Sequence, residues 1–341
     1  ISGIRQVFTY ALDIYEKPIP PALTELRPAR ETCEQCHWPA KFHGDQLKEV
    51  PHFASDRANT ERSVTMMVKT GGADPLVGEP SGIHWHMALG NKIEYVATDA
   101  ALQEIPWVKV TSLDSGESEI YRADGNPSDA EPPEGIRRVL DCMDCHNRPT
   151  HVFRSPNAAV NGVLGRRPEL TDVPYAKAQL VRALSAGYDS QSEAVTAIER
   201  RVEEYYREQQ PQVWESRQME LQKLVDLGQD VYRRNVFPQR QASWRVYPNN
   251  IGHMESPGCF RCHEGRHVNE SGEALTRDCK SCHEFLVPAE TKEGRPTRVV
   301  GSFEHPMELT GPHAAARCDQ CHTGGPTPPP TCTGCHEPVD A

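Results

Sequence analysis

The sequence predicts a chain that is mostly irregular and α-helical, wrapped around covalently held groups, with a small inserted antiparallel β-sheet and a cysteine-free helical segment. Three observations predict this. All 12 cysteines of the 341 residues fall into six copies of Cys-x-x-Cys-His. Apolar and polar residues alternate across 62–125. Residues 172–235 carry helical periodicity and no cysteine.

The motifs decide the class. They are Cys33 and Cys36 with His37, Cys142 and Cys145 with His146, Cys259 and Cys262 with His263, Cys279 and Cys282 with His283, Cys318 and Cys321 with His322, and Cys332 and Cys335 with His336. Two thiols at this spacing lie on one side of a turn and can form thioethers with the vinyl groups of a porphyrin. The next residue then brings an imidazole under the iron. Half a zinc site or a redox disulfide also uses Cys-x-x-Cys, but neither requires a histidine directly after the second cysteine. Six adjacencies out of six, with no cysteine left over, predict a multihaem c-type cytochrome. The expected cofactors are six covalently bound haem c groups, with His37, His146, His263, His283, His322 and His336 as proximal ligands. No residue is singled out as catalytic.

Composition agrees. Only 37% of residues are hydrophobic and the mean hydropathy is -0.64, so porphyrin faces are expected to supply much of the buried apolar surface. A formal net charge of -11 excludes a nucleic-acid partner that would need a clustered basic surface. No run of about 18 apolar residues spans a membrane.

Nine further histidines are available for the sixth position on each iron. Imidazole on both faces keeps iron six-coordinate and suits outer-sphere electron transfer. His305 and His313 precede the fifth motif as a pair, and His253 and His267 flank the third. His151 lies five residues after His146, too close to reach the far face of the same haem, and is assigned to another. The stretch Ile83-His84-Trp85-His86-Met87 reads as strand-like, with both histidines on one side, and His86 is favoured. His52 is preferred to His43, which sits in a turn-like Phe-His-Gly-Asp. The distal candidates are therefore His52, His86, His151, His253, His267, His305 and His313, seven for six irons. The methionines read as packing residues.

In chain order, residues 1–32 are an amphipathic start and a Pro-rich connector, readable as a remnant next to an anchor. Residues 33–151 are a two-haem region carrying the β insertion, punctuated by an Asp-Gly-Asn-Pro turn at 124–127. Residues 152–248 are a helical brace with helices expected over 175–184, 192–207 and 214–234, their charged faces solvated. Residues 249–341 hold four motifs with little regular structure and a stiff Pro-rich segment at 324–330.

The second motif, continued as Cys142-Met143-Asp144-Cys145-His146-Asn147-Arg148-Pro149-Thr150-His151, resembles the NapC/NirT cytochromes. The compact members of that family carry four haems rather than six. Larger multihaem relatives of metal-respiring bacteria look similar over 31–285, including the Ile-His-Trp-His and Asn-Asn-Ile-Gly-His stretches. The resemblance implies that His151 ligates a neighbouring haem. It also implies a periplasmic, membrane-anchored setting and electrons drawn from the quinol pool. Three functions are therefore expected, in order: a respiratory relay with redox protein partners; a subunit of an extracellular filament or respiratory complex; and a reductase with one open haem. Each places the protein outside the cytoplasmic membrane.

Overall fold

A computed structural model describes residues 2–19, 33–37, 44–71, 81–124, 131–148, 150–291, 294, 296–301 and 311. The chain divides into two compact units: residues 1–26, 53–60 and 150–248, and residues 27–52, 61–149 and 249–341. Motifs five and six, with His43, His305 and His313, lie outside the described residues.

The first unit is helical. It contains α1 (Ser2–Ala11), α2 (Pro156–Leu164), α3 (Pro168–Thr171), α4 (Ala176–Ser185), α5 (Gln191–Gln209), α6 (Pro211–Ser216) and α7 (Gln218–Asn235). Ser190 caps α5 by accepting from the Glu193 amide at 3.1 Å, satisfying one of the donors a helix start leaves open. Along α5, Ala194, Ala197, Ile198, Val202 and Tyr206 recur at helical spacing and are buried. Arg200 and Glu204 pair on the solvated face. Ile198, Val202 and Tyr206 pack with Val160 and Leu164 of α2, Leu180 and Leu184 of α4, and Leu221, Leu224 and Tyr232 of α7 in one apolar core. Residues 53–60 are tied into this core: Phe53 is buried, and Asn59 donates to the Thr171 and Val173 carbonyls at 2.9 and 2.7 Å. By contrast, Ile4, Val7 and Phe8 of α1 are largely exposed.

The second unit holds two antiparallel sheets. Strands β1 (Gln46–Val50), β2 (Val64–Val68), β3 (Asn91–Ala97), β4 (Trp107–Ser112), β5 (Ser118–Arg122), β6 (Ile136–Val139), β7 (His283–Glu290) and β8 (Pro296–Val300) alternate with short helical turns. One sheet has the order β1-β2-β7-β8 and the other β5-β4-β3-β6. The alternating stretch at 62–125 is therefore not one inserted sheet. Val64–Val68 pairs with the strand that follows the fourth motif, Met66 opposite Phe285 and Val68 opposite His283. The region after residue 249, expected to be irregular, supplies β7 and β8. The fold is mixed α and antiparallel β, with more sheet than the alternation alone suggests. Ile83–Met87 is a 3-10 helix, not a strand.

Candidate haem-binding site

All four described motifs fold as tight turns in the second unit. Cys142–Cys145 is one helical turn held by a capping box: Asp141 accepts from the Met143 amide and Asp144 accepts from the Asp141 amide, each at 2.7 Å. Gly258–Arg261 and Cys279–Ser281 are 3-10 turns. In the first three, the amide of the motif histidine donates back to the carbonyl of the first cysteine: His37 to Cys33 at 2.7 Å, His146 to Cys142 at 2.7 Å and His263 to Cys259 at 3.1 Å. This bond turns the chain so that the histidine follows directly on the thiol pair. Gly258 has φ +49°, and a Cβ there would lie 1.9 Å from the Gly252 carbonyl oxygen, so the third turn requires glycine.

Among the described residues, the eight motif cysteines form no disulfide with one another. Burial raises Cys142, Cys259 and Cys282 above the ordinary thiol range and pushes Cys145 up to about 11 and Cys262 up to about 12. A redox-active thiol needs the opposite shift. Among the described residues, no three His, Cys, Asp or Glu side chains converge as a metal site would require.

A buried polar network joins the second and third motifs. Asp144, 1% exposed, accepts from the Tyr95 hydroxyl at 2.6 Å and from Arg138 Nε at 2.8 Å. Burial, then the Asp144 charge, drives the Tyr95 pKa upward, so that hydroxyl stays a donor. Arg261, inside the third motif, donates to the Gly258, Leu102 and Asp144 carbonyls at 2.9, 2.8 and 2.8 Å. Asn250 adds a bond to the Asp144 carbonyl at 2.9 Å and takes the Asn147 side chain on its own amide at 3.0 Å. The sequence alone does not mark Tyr95, Arg138 or Arg261 as partners in this network. A polar residue at a motif's variable position carries no mark of being buried.

The histidines separate into distinct environments. His86 and His263 stand with ring centres 5.8 Å apart and planes at 82°. His253 and His283 stand 6.3 Å apart with planes at 24°, and His253 also stacks on Phe260 at 4.2 Å. His283 Nδ1 is buried and has no hydrogen-bond partner among the described residues. Burial lowers the pKa of His84, His263 and His283, which keeps them as the neutral imidazoles that metals bind. His84, passed over in sequence, feels His146 electrostatically. His267 is buried, with Nδ1 on the Glu264 carboxylate at 3.0 Å and Nε2 on the Ile105 carbonyl at 2.7 Å. His151 lies in the helical unit, exposed, with Nε2 donating to the Arg234 carbonyl at 3.0 Å and its ring against Phe153. His52 sits just beyond β1, half-buried, its carbonyl taking the Arg62 amide at 2.7 Å. Thiol pairs, each leading directly into a histidine, and imidazole rings facing one another fit haem. When bound, haem supplies an iron that accepts and releases single electrons; the chain's cysteines would anchor it and its histidines would ligate it.

The comparisons carry the same reading. A family model described as cytochrome c3 matches residues 252–337, the stretch holding motifs three to six. The chain is 37% identical over 323 residues to the cytochrome c-type protein ImcH of Geobacter sulfurreducens, across 94% of this chain. The chain is related to ImcH over most of its own length. It spans 63% of the length of that relative. No solved structure matches.

Proposed function

We propose that the chain is a respiratory electron relay carrying six haem c groups, one on each motif, most with histidine on both faces of the iron. The observation that carries this reading is the pairing of motif histidines with other histidines, His263 with His86 and His283 with His253. Iron ligated on both faces has no position left for a substrate. It changes little on reduction, which favours rapid electron exchange with neighbouring haems. The likeness to a c-type protein over most of the chain supports an electron-transfer role outside the cytoplasm. The NapC/NirT resemblance around the second motif adds a periplasmic or membrane-attached setting, with redox proteins or the quinol pool as partners.

A spectroelectrochemical titration tests the relay. The expected result is six electrons taken up per chain over a spread of potentials, with no reoxidation when nitrite, sulfite or other small oxyanions are added. Substrate-dependent reoxidation, or a persistent high-spin haem, would replace the relay with a reductase.

A further inference from the structure

Two histidines on one iron leave a signature in the rings themselves. Each keeps one nitrogen for the metal, while the other is oriented by a carbonyl or carboxylate. With metal–nitrogen bonds of about 2 Å on each side, the two ring centres lie roughly 6 Å apart. His86 and His263 meet both conditions. Nδ1 of His86 donates to the Ile83 carbonyl at 2.6 Å, and Nδ1 of His263 donates to the Thr276 carbonyl at 2.7 Å. Nε2 of each ring is left for a metal, and the ring centres are 5.8 Å apart.

The local backbone explains why His86 is chosen over its neighbour. In a 3-10 helix, with three residues per turn, side chains two positions apart point in different directions. His84 and His86 therefore cannot both face His263, as they would from a strand. The turn is pinned where it stands: the Ile83 amide donates to the Lys69 carbonyl at 2.8 Å, the His84 amide to the Thr70 carbonyl at 2.9 Å, and the Asn91 side chain to the Trp85 carbonyl at 3.0 Å.

We propose that His86 is the sixth ligand of the iron held by Cys259, Cys262 and His263, and that His267, although only four residues from His263, is not. The assignment rests on the haem reading of the third motif. Both nitrogens of His267 already face protein groups, Glu264 on one side and the Ile105 carbonyl on the other, so neither is left open towards a metal. His267 is a positioning residue that ties the third motif to the connection between β3 and β4.

The angle between the rings gives a spectroscopic readout. Imidazole planes near 82° leave the two dπ orbitals of low-spin ferric iron close in energy, which produces a large-gmax electron paramagnetic resonance signal. Near-parallel planes split those orbitals and give a rhombic signal.

The test uses the full haem-loaded chain as wild type, His86→Gly, His86→Met and His267→Gln, with haem number read by intact mass. Wild type should show a large-gmax signal. His86→Gly should lose one haem's share of it and gain a high-spin signal, and added imidazole should restore low-spin iron. A variant that had merely misfolded would not be restored. His86→Met should keep its haem number and raise one reduction potential, because a thioether replaces an imidazole. His267→Gln should keep the large-gmax signal. The assignment is overturned if His86→Gly retains every low-spin signal at full haem number, or if His267→Gln is the variant that opens an iron. A third motif that carries no haem by peptide mass overturns the haem reading itself, a separate outcome.

Discussion

The two units of this chain reach a folded state by different means. In the helical unit, α2, α4, α5 and α7 close over a continuous core of Val160, Leu164, Leu180, Ile198, Leu224 and Tyr232. The motif-bearing unit has a smaller apolar centre, around Ile93, Tyr95, Val96 and Trp107 of its second sheet. Around its cysteines it buries Asp144, Asn147, Asn250, Arg261 and His267 instead. Polar groups of that kind hold a shape when every partner is present, and they contribute little net stability on their own. One unit is self-sufficient, and the other is a polar frame for groups it must bind.

The largest test of that contrast is to withhold haem. Expressed where haem is not attached, the chain should keep the helical circular dichroism of residues 156–235, while limited proteolysis cuts freely within 61–149 and 249–301. Equal protection of both units would break the comparison.

Single substitutions sharpen it. Asp144→Ala leaves buried Tyr95 and half-buried Arg138 without their shared acceptor. Breaking a buried pair in this way costs about 3–5 kcal/mol, so a large fall in the melting point of the motif-bearing unit and reduced haem content are expected. Ile198→Ala opens a cavity in the apolar core and should cost about 2–5 kcal/mol in the helical unit, with the haem spectrum unchanged. A haem spectrum that shifts with Ile198→Ala would show that the two units do not respond separately.

Alkaline pH gives the smallest effect, read here in the helical unit. Burial pushes the Tyr232 pKa up to about 12 and also raises Tyr206. Folding therefore favours their neutral forms. The contribution is complete below the ordinary tyrosine value of about 10 and is lost as pH rises towards 12. Thermal melts followed by far-ultraviolet circular dichroism should show the helical unit weakening over that window.

The same contrast explains what could be read from the sequence. The periodic positions of α5 and α7 are set by local helix geometry, and the helices fall close to 192–207 and 214–234. The cysteine motifs are equally local, since five consecutive residues carry the chemistry. What escaped depends on partners far along the chain. Nothing in Val64–Val68 announces that it pairs with residues after the fourth motif. The alternation in Ile83–Met87 suits a strand, but its amides are taken by Lys69 and Thr70 and the segment winds into a 3-10 turn. That winding separates His84 from His86. His267 stands beside its motif in sequence, and nothing there announces that its nitrogens face Glu264 and the Ile105 carbonyl. Arg261 stands at a variable position of Cys-x-x-Cys, and its guanidinium ties the third motif to the Asp144 carbonyl of the second.

The central claim is that the motif-bearing unit is built to hold covalent haem at every cysteine pair. Intact mass spectrometry of the purified chain, followed by peptide mapping, tests it most directly. The account predicts a mass increment of six haems, with one haem on each of the six motif peptides. Free thiols at any motif of a fully matured sample, or zinc in place of haem, would contradict it.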